Sequence, residues 1–153
     1  MGDLYFLNNA RTKNQYEEMV RLEAEGVCIF CPEHVERRGG KEVFLQNDTW
    51  WLMQNDYPYA GTRRHMLLVP KQHVVSMTEL SPESQQGFWD ILRRTAKAWG
   101  PNYFVLASRN GSPSGTGATI MHFHMQFIVA DPNSEVPVAI YASSKPSKGP
   151  PSA

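Results

Sequence analysis

Cysteine is scarce in this 153-residue chain, long apolar runs are missing, and neither sign of charge prevails. Each shortage removes a class of protein. Two cysteines are too few to staple a secreted, disulfide-framed domain. No stretch approaches the roughly 18 apolar residues of a membrane span, and the first residues lack a basic region followed by an apolar run. The expectation is a soluble, cytoplasmic protein with no membrane partner. Fifteen Lys and Arg offset fifteen Asp and Glu, so nothing electrostatic favours nucleic acid as a partner, and a small molecule is expected instead. The length suits one domain with a substantial core.

What is present is concentrated in the segment Met121-His122-Phe123-His124-Met125-Gln126-Phe127-Ile128. Side chains of an extended chain alternate faces, so His122, His124 and Gln126 share one side while Met121, Phe123, Met125 and Phe127 share the other. A strand needing only solubility would use Lys, Glu or Thr; two imidazoles and an amide suggest a site. The two cysteines form a second feature, Cys28-Ile29-Phe30-Cys31, with a spacing suited to a metal or redox pair.

Periodicity orders the rest. Residues 13–24 carry Tyr16, Met19, Val20 and Leu22 at helical spacing, ending near Gly26. Val43-Phe44-Leu45 and Trp50-Trp51-Leu52-Met53 flank Asn47-Asp48 and predict a hairpin, in which one tryptophan ring points inward and the other outward. Met66-Leu67-Leu68-Val69 is a strand that Pro70 stops. A second helix is capped by Ser81, opens on Pro82 and shows an apolar stripe of Phe88, Ile91, Leu92, Thr95 and Trp99 before Gly100-Pro101. Tyr103-Phe104-Val105-Leu106 is a further strand, residues 110–117 form a Gly- and Ser-rich loop, and the His strand spans residues 120–129. Pro, Ser and Lys dominate from Asp131 onward. The expected fold is α+β, a five-stranded antiparallel sheet with two main helices on one side. Its parts are an N-terminal helical segment (1–26), a main domain that carries the candidate site residues (27–130) and a partly disordered C-terminal extension (131–153).

Taken together and in order, three motifs make the chain similar to the histidine triad (HIT) superfamily: Cys28 to Cys31, the stretch His65-Met66-Leu67-Leu68-Val69-Pro70-Lys71-Gln72-His73, and Asn110, Gly115 and Gly117 leading into the His122 strand. Gln126 stands where the triad's third histidine would be. That form resembles the branch containing galactose-1-phosphate uridylyltransferase and the dinucleoside polyphosphate or nucleotide-sugar phosphorylases. The resemblance implies a nucleotidyltransferase or phosphorylase in which His124 attacks an α-phosphorus to give a covalent nucleotidyl-histidine, while Gln126 bonds phosphate oxygens. The alternatives are a HIT-type hydrolase of dinucleoside polyphosphates or nucleoside phosphoramidates, and a non-catalytic nucleotide-binding module.

The chemistry is sound on physical grounds. Neutral imidazole is nucleophilic near pH 7 and its phosphoramidate is labile, so His124 can split one displacement into two. The transition state needs positioned donors, which Gln126, Asn110, Thr119 and the loop to Gly117 can supply. The resemblance further implies a structural zinc ion held by Cys28, Cys31, His73 and His122, a closed tetrahedral set. It places Phe30 near the base, Asn47 or Asp48 near the ribose, His65 at the head of the core strand in a mainly structural role, and a homodimer through residues 82–108. A catalytic-metal enzyme using His122 and His124 fits poorly, because the strand has no suitably placed carboxylate.

Overall fold

The computed structural model describes residues 4–36 and 42–144. Residues 37–41 and, at the end of the C-terminal extension, residues 145–153 lie outside the described residues. Five strands form one antiparallel sheet in the order β1-β2-β3-β5-β4, from β1 (Val43–Gln46), β2 (Trp50–Gln54), β3 (Thr62–Pro70), β4 (Val105–Ser108) and β5 (Met125–Ala130). Among the described residues four α-helices accompany them: α1 (Lys13–Glu25), α2 (Pro32–Val35), α3 (Pro82–Trp99) and α4 (Pro113–Thr116). The expected five-stranded α+β architecture is therefore present.

Local signals set the helix ends. Thr12 caps α1 by accepting from the Gln15 N–H, and Gly26, at φ 66°, closes it in the left-handed region. Ser81 accepts from the Ser84 N–H, and Pro82 occupies the first turn of α3, where its missing N–H costs nothing.

Both faces of the sheet are covered, because β2 and the second half of β3 are buried without alternation. α3 covers one face, where Trp50, Leu52, Met66, Leu68, Ile91, Phe123, Met125 and Phe127 pack together. The other face carries Phe30, Val35, Trp51, Met53, Leu67 and Val69, and continues through Ile29 and Ile120 to Tyr5, Met19 and Leu22. α1 thus belongs to the face opposite α3, so the two main helices flank the sheet instead of sharing a side. The same covering corrects the expectation for the tryptophan pair. Trp50 and Trp51 do point to opposite faces, but both rings are buried, since the second face at Trp51 lies under residues 28–35, among them Phe30 and Val35.

The His strand differs at its start. Ladder pairing of β5 begins at Met125; residues 120–124 spend their backbone bonds elsewhere, the Met121 N–H on the Leu4 carbonyl and the Phe123 N–H on the Val74 carbonyl. Alternation nevertheless persists through the segment, with Phe123, Met125 and Phe127 entering the α3-side core.

Candidate functional site

His122 is buried, and its ring faces the two cysteines. Its Nδ1 lies 3.4 Å from Cys28 Sγ and 3.6 Å from Cys31 Sγ, and Cys31 Sγ lies 3.1 Å from His73 Nδ1. The four ligand atoms of Cys28, Cys31, His73 and His122 all fall within 4.8 Å of one another, close enough to bind one metal ion. The surroundings fit such a role. His122 Nε2 lies 2.8 Å from the Pro70 carbonyl, so its proton sits on Nε2 and the Nδ1 lone pair faces the thiols, the tautomer a metal-ligating histidine requires. A two-thiolate, two-imidazole set is closed and tetrahedral, which suits a structural ion.

His122 also joins this cluster to His124. Its carbonyl accepts the Nδ1–H of His124 at 2.8 Å; that bond puts the His124 lone pair on Nε2, the arrangement a nucleophilic imidazole needs. The Phe30 ring is fully buried beside both histidines, 5.8 Å from the His122 ring and 5.3 Å from that of His124.

Gln126 is held by a buried relay. The Tyr59 N–H donates to His65 Nδ1 at 3.0 Å, so His65 carries its proton on Nε2 and donates it to Gln126 Oε1. Asn55, oriented by the Tyr57 N–H on its Oδ1 at 2.9 Å, adds a second donor to the same oxygen at 3.4 Å. Both donors address the carbonyl end of the Gln126 amide, which leaves its NH2 to serve as a donor in the cavity. Desolvation lowers the His65 pKa from 6.5 to about 4, outweighing the opposing Gln126 hydrogen bond. The ring is therefore neutral at physiological pH.

His124 and Gln126 line a narrow cavity of about 80 Å³ with Phe30, Leu67, Gly117 and Thr119. Of the residues expected at the site, these two and Phe30, Gly117 and Thr119 come together. Asn110 and Asp48 do not. Asn110 accepts from the Met77 N–H at 2.8 Å and donates to Ser108 Oγ at 3.0 Å, which ties the loop to the segment after β3. Asp48 lies in the β1–β2 turn, next to Asn47, whose amide donates to the Gly87 carbonyl of α3 at 2.8 Å. The cavity carboxylates are instead Glu18 and Asp56. Sequence reasoning also missed Arg11, Tyr59 and Arg109 on its wall. No local motif marks them, although Arg109 directly precedes the singled-out Asn110.

A HIT domain family model matches residues 38–133. Adenosine 5'-monophosphoramidase hnt1 of Schizosaccharomyces pombe is 31% identical over 85 residues, which are 56% of this chain and 62% of that protein. The chain thus matches about three fifths of the length of that curated relative. Two solved structures share the fold. A HIT family hydrolase from Clostridium thermocellum aligns over 73% of this chain and 96% of its own, with TM-score 0.55 and 19% identity. A histidine triad nucleotide-binding protein from Candida albicans aligns over 78% and 87%, with TM-score 0.58 and 15% identity.

Proposed function

This chain belongs to the HIT family, and from that premise we propose that it is a nucleotide hydrolase acting at an α-phosphate through a covalent nucleotidyl-His124 intermediate. The observation that carries this reading is the setting of His124. Its tautomer is fixed by the His122 carbonyl, and it shares a cavity with the oriented amide of Gln126. His124 Nε2 attacks phosphorus and the leaving group departs; water then breaks the P–N bond and restores the imidazole. The Gln126 NH2, Thr119 and the backbone leading from Gly117 supply donors to the equatorial oxygens. Phe30 flanks the nucleophile, and Asp56 and Glu18 offer acceptors for sugar hydroxyls.

Water is preferred as the acceptor because the curated relative is by name a phosphoramidase. The residues alone favour transfer, on account of Gln126. Turnover in ¹⁸O-labelled water, with and without inorganic phosphate, separates the two. Label in the nucleoside monophosphate supports hydrolysis, and nucleoside diphosphate formed from added phosphate shows phosphorolytic transfer. Loss of both reactions in His124→Ala is expected, and retention of either would sink the assignment.

The four-residue cluster is proposed to hold zinc. The ion would tie the N-terminal segment to His122 and so hold the carbonyl that orients His124. No helix among the described residues is long and apolar enough to cross a membrane, and a cytoplasmic setting is proposed. A homodimer through α3 and β4 is also proposed, because β4 is an edge strand and Trp89, Phe104 and Val105 are exposed there.

A further inference from the structure

Beyond the narrow cavity at His124 lies a second one of about 460 Å³, formed between the N-terminal segment, the turn before β3 and the C-terminal extension. The two cavities share Asn9, Arg11, Tyr59, Arg109 and Gly117, so two guanidinium groups belong to the walls of both. Arg11 stacks its guanidinium over the Tyr59 ring, 4.5 Å from the centroid, and donates to the Tyr57 carbonyl. Arg109 donates to the Thr116 and Tyr141 carbonyls and, at 3.4 Å, to the Tyr59 hydroxyl.

Their partners are thus neutral oxygens and a ring. Among the described residues neither guanidinium has a carboxylate in ion-pair distance. Each keeps N–H donors beyond those used in these bonds. Two cations side by side repel one another. Burial holds the Arg11 pKa below the ordinary arginine value; Tyr59 opposes that shift and the charge of Arg109 adds to it. A bound anion would relieve the repulsion and take up the remaining donors.

A second observation points the same way. The amide of Gln126 has no titratable proton and cannot protonate a departing amine, whereas the phosphate oxygen of an anhydride departs as a stable anion without one.

We propose that Arg11 and Arg109 form a leaving-group phosphate subsite, and that the substrate is a dinucleoside polyphosphate whose second nucleoside occupies the larger cavity. This deepens the hydrolase reading and rests on it. His124 Nε2 forms the bond to the α-phosphorus while the bond from that phosphorus to the α–β bridging oxygen breaks. The electron pair stays on the β-phosphate, which the two guanidiniums hold. Water then adds to the nucleotidyl-histidine, giving a nucleoside monophosphate and free imidazole. The second cavity has the size of a small-molecule site, and Tyr59 and Tyr141 are among the residues that line it.

The test has two arms. In the first, inorganic tripolyphosphate is titrated calorimetrically into the full chain. Binding is expected to weaken roughly 10- to 100-fold in Arg11→Gln, in line with loss of a charged hydrogen bond. Arg109→Lys, which keeps the charge, should lose less than Arg109→Gln, separating anion binding from the strapping of Tyr141. In the second, kcat/KM is compared for a diadenosine triphosphate and an adenosine phosphoramidate. The triphosphate should be preferred, and Arg11→Gln should lower its value at least about tenfold further than that of the phosphoramidate. Absence of tripolyphosphate binding, binding indifferent to both arginines, or preference for the phosphoramidate would overturn the proposal. Arginine-dependent binding without cleavage of either compound would uphold the anion subsite and refute the hydrolase reading.

Discussion

Replacing His65 by glutamine should remove a defined part of the protein's acid sensitivity. The side chain is fully buried, accepts from the Tyr59 N–H and donates to Gln126. Its pKa falls from 6.5 to about 4 on folding because burial penalises the charged ring. Between those two values the unfolded chain binds the proton and the folded chain does not, so stability rises with pH across that window. Above pH 6.5 the contribution is fully present; as pH falls through 6.5 towards 4 it is lost, and below 4 it no longer changes. The interval corresponds to roughly 3 kcal/mol. Urea denaturation at fixed metal concentration, from pH 7.5 to 4, would give this as the difference between wild type and His65→Gln, which cancels the titration of every other group. The difference should shrink by about 3 kcal/mol over the window. A difference that stays flat with pH would refute the buried, neutral assignment. His65→Leu serves a separate purpose. It leaves the Tyr59 N–H without its imidazole acceptor and removes a donor from Gln126, costing about 1–3 kcal/mol per unsatisfied group. It should also lower turnover more than His65→Gln does, because only glutamine retains a donor for the Gln126 carbonyl.

Three further outcomes are expected. Cys31→Ala should lose bound metal, read by elemental analysis, and with it several kcal/mol of stability, while His124→Ala keeps both; equal destabilisation of the two variants would contradict the division between metal cluster and nucleophile. Gln126→His should raise cleavage of a nucleoside phosphoramidate by about 100-fold or more, the usual yield of a positioned general acid, and no gain in steady-state assays would remove the reason given for an anionic leaving group. Gly61 sits at φ 79°, and a Cβ there would come within 2.2 Å of the Val136 carbonyl oxygen, so Gly61→Ala should displace the C-terminal extension. Faster proteolysis at residues 131–144, with unchanged zinc content, is the expected reading, and unaltered proteolysis would count against close packing of that segment.

Much of the fold was legible because its causes are local. Ser81-Pro82 begins α3 where capping chemistry places it, and Gly26 ends α1 because the chain must turn left-handed there. The hairpin at Asn47 was readable for the same reason. Placement of α1 was not, since its Met19 and Leu22 stripe suits either face of the sheet. Trp51 shows a related failure: alternation fixes which face a ring takes, but only tertiary packing decides whether that face is covered. In the site, His122, His124, Gln126 and the cysteine pair were visible as residue types in a spacing that chemistry demands. That Asp48 lies in the β1–β2 turn and not on the cavity wall was not legible, because a carboxylate in a turn carries no mark of the cavity it faces. Arg11, Tyr59 and Arg109 lie far apart in sequence and meet only when the N-terminal segment, the turn before β3 and the end of β4 converge. No short-range pattern encodes that meeting.

The most direct test of the account is intact-protein mass spectrometry after rapid mixing with a diadenosine triphosphate and quenching under alkaline conditions that spare a phosphoramidate. An increase equal to one adenylyl group is expected on the wild-type chain, labile to acid and absent from His124→Ala. Hydrolysis proceeding in His124→Ala, or an adenylyl group carried on any residue other than His124, would contradict it.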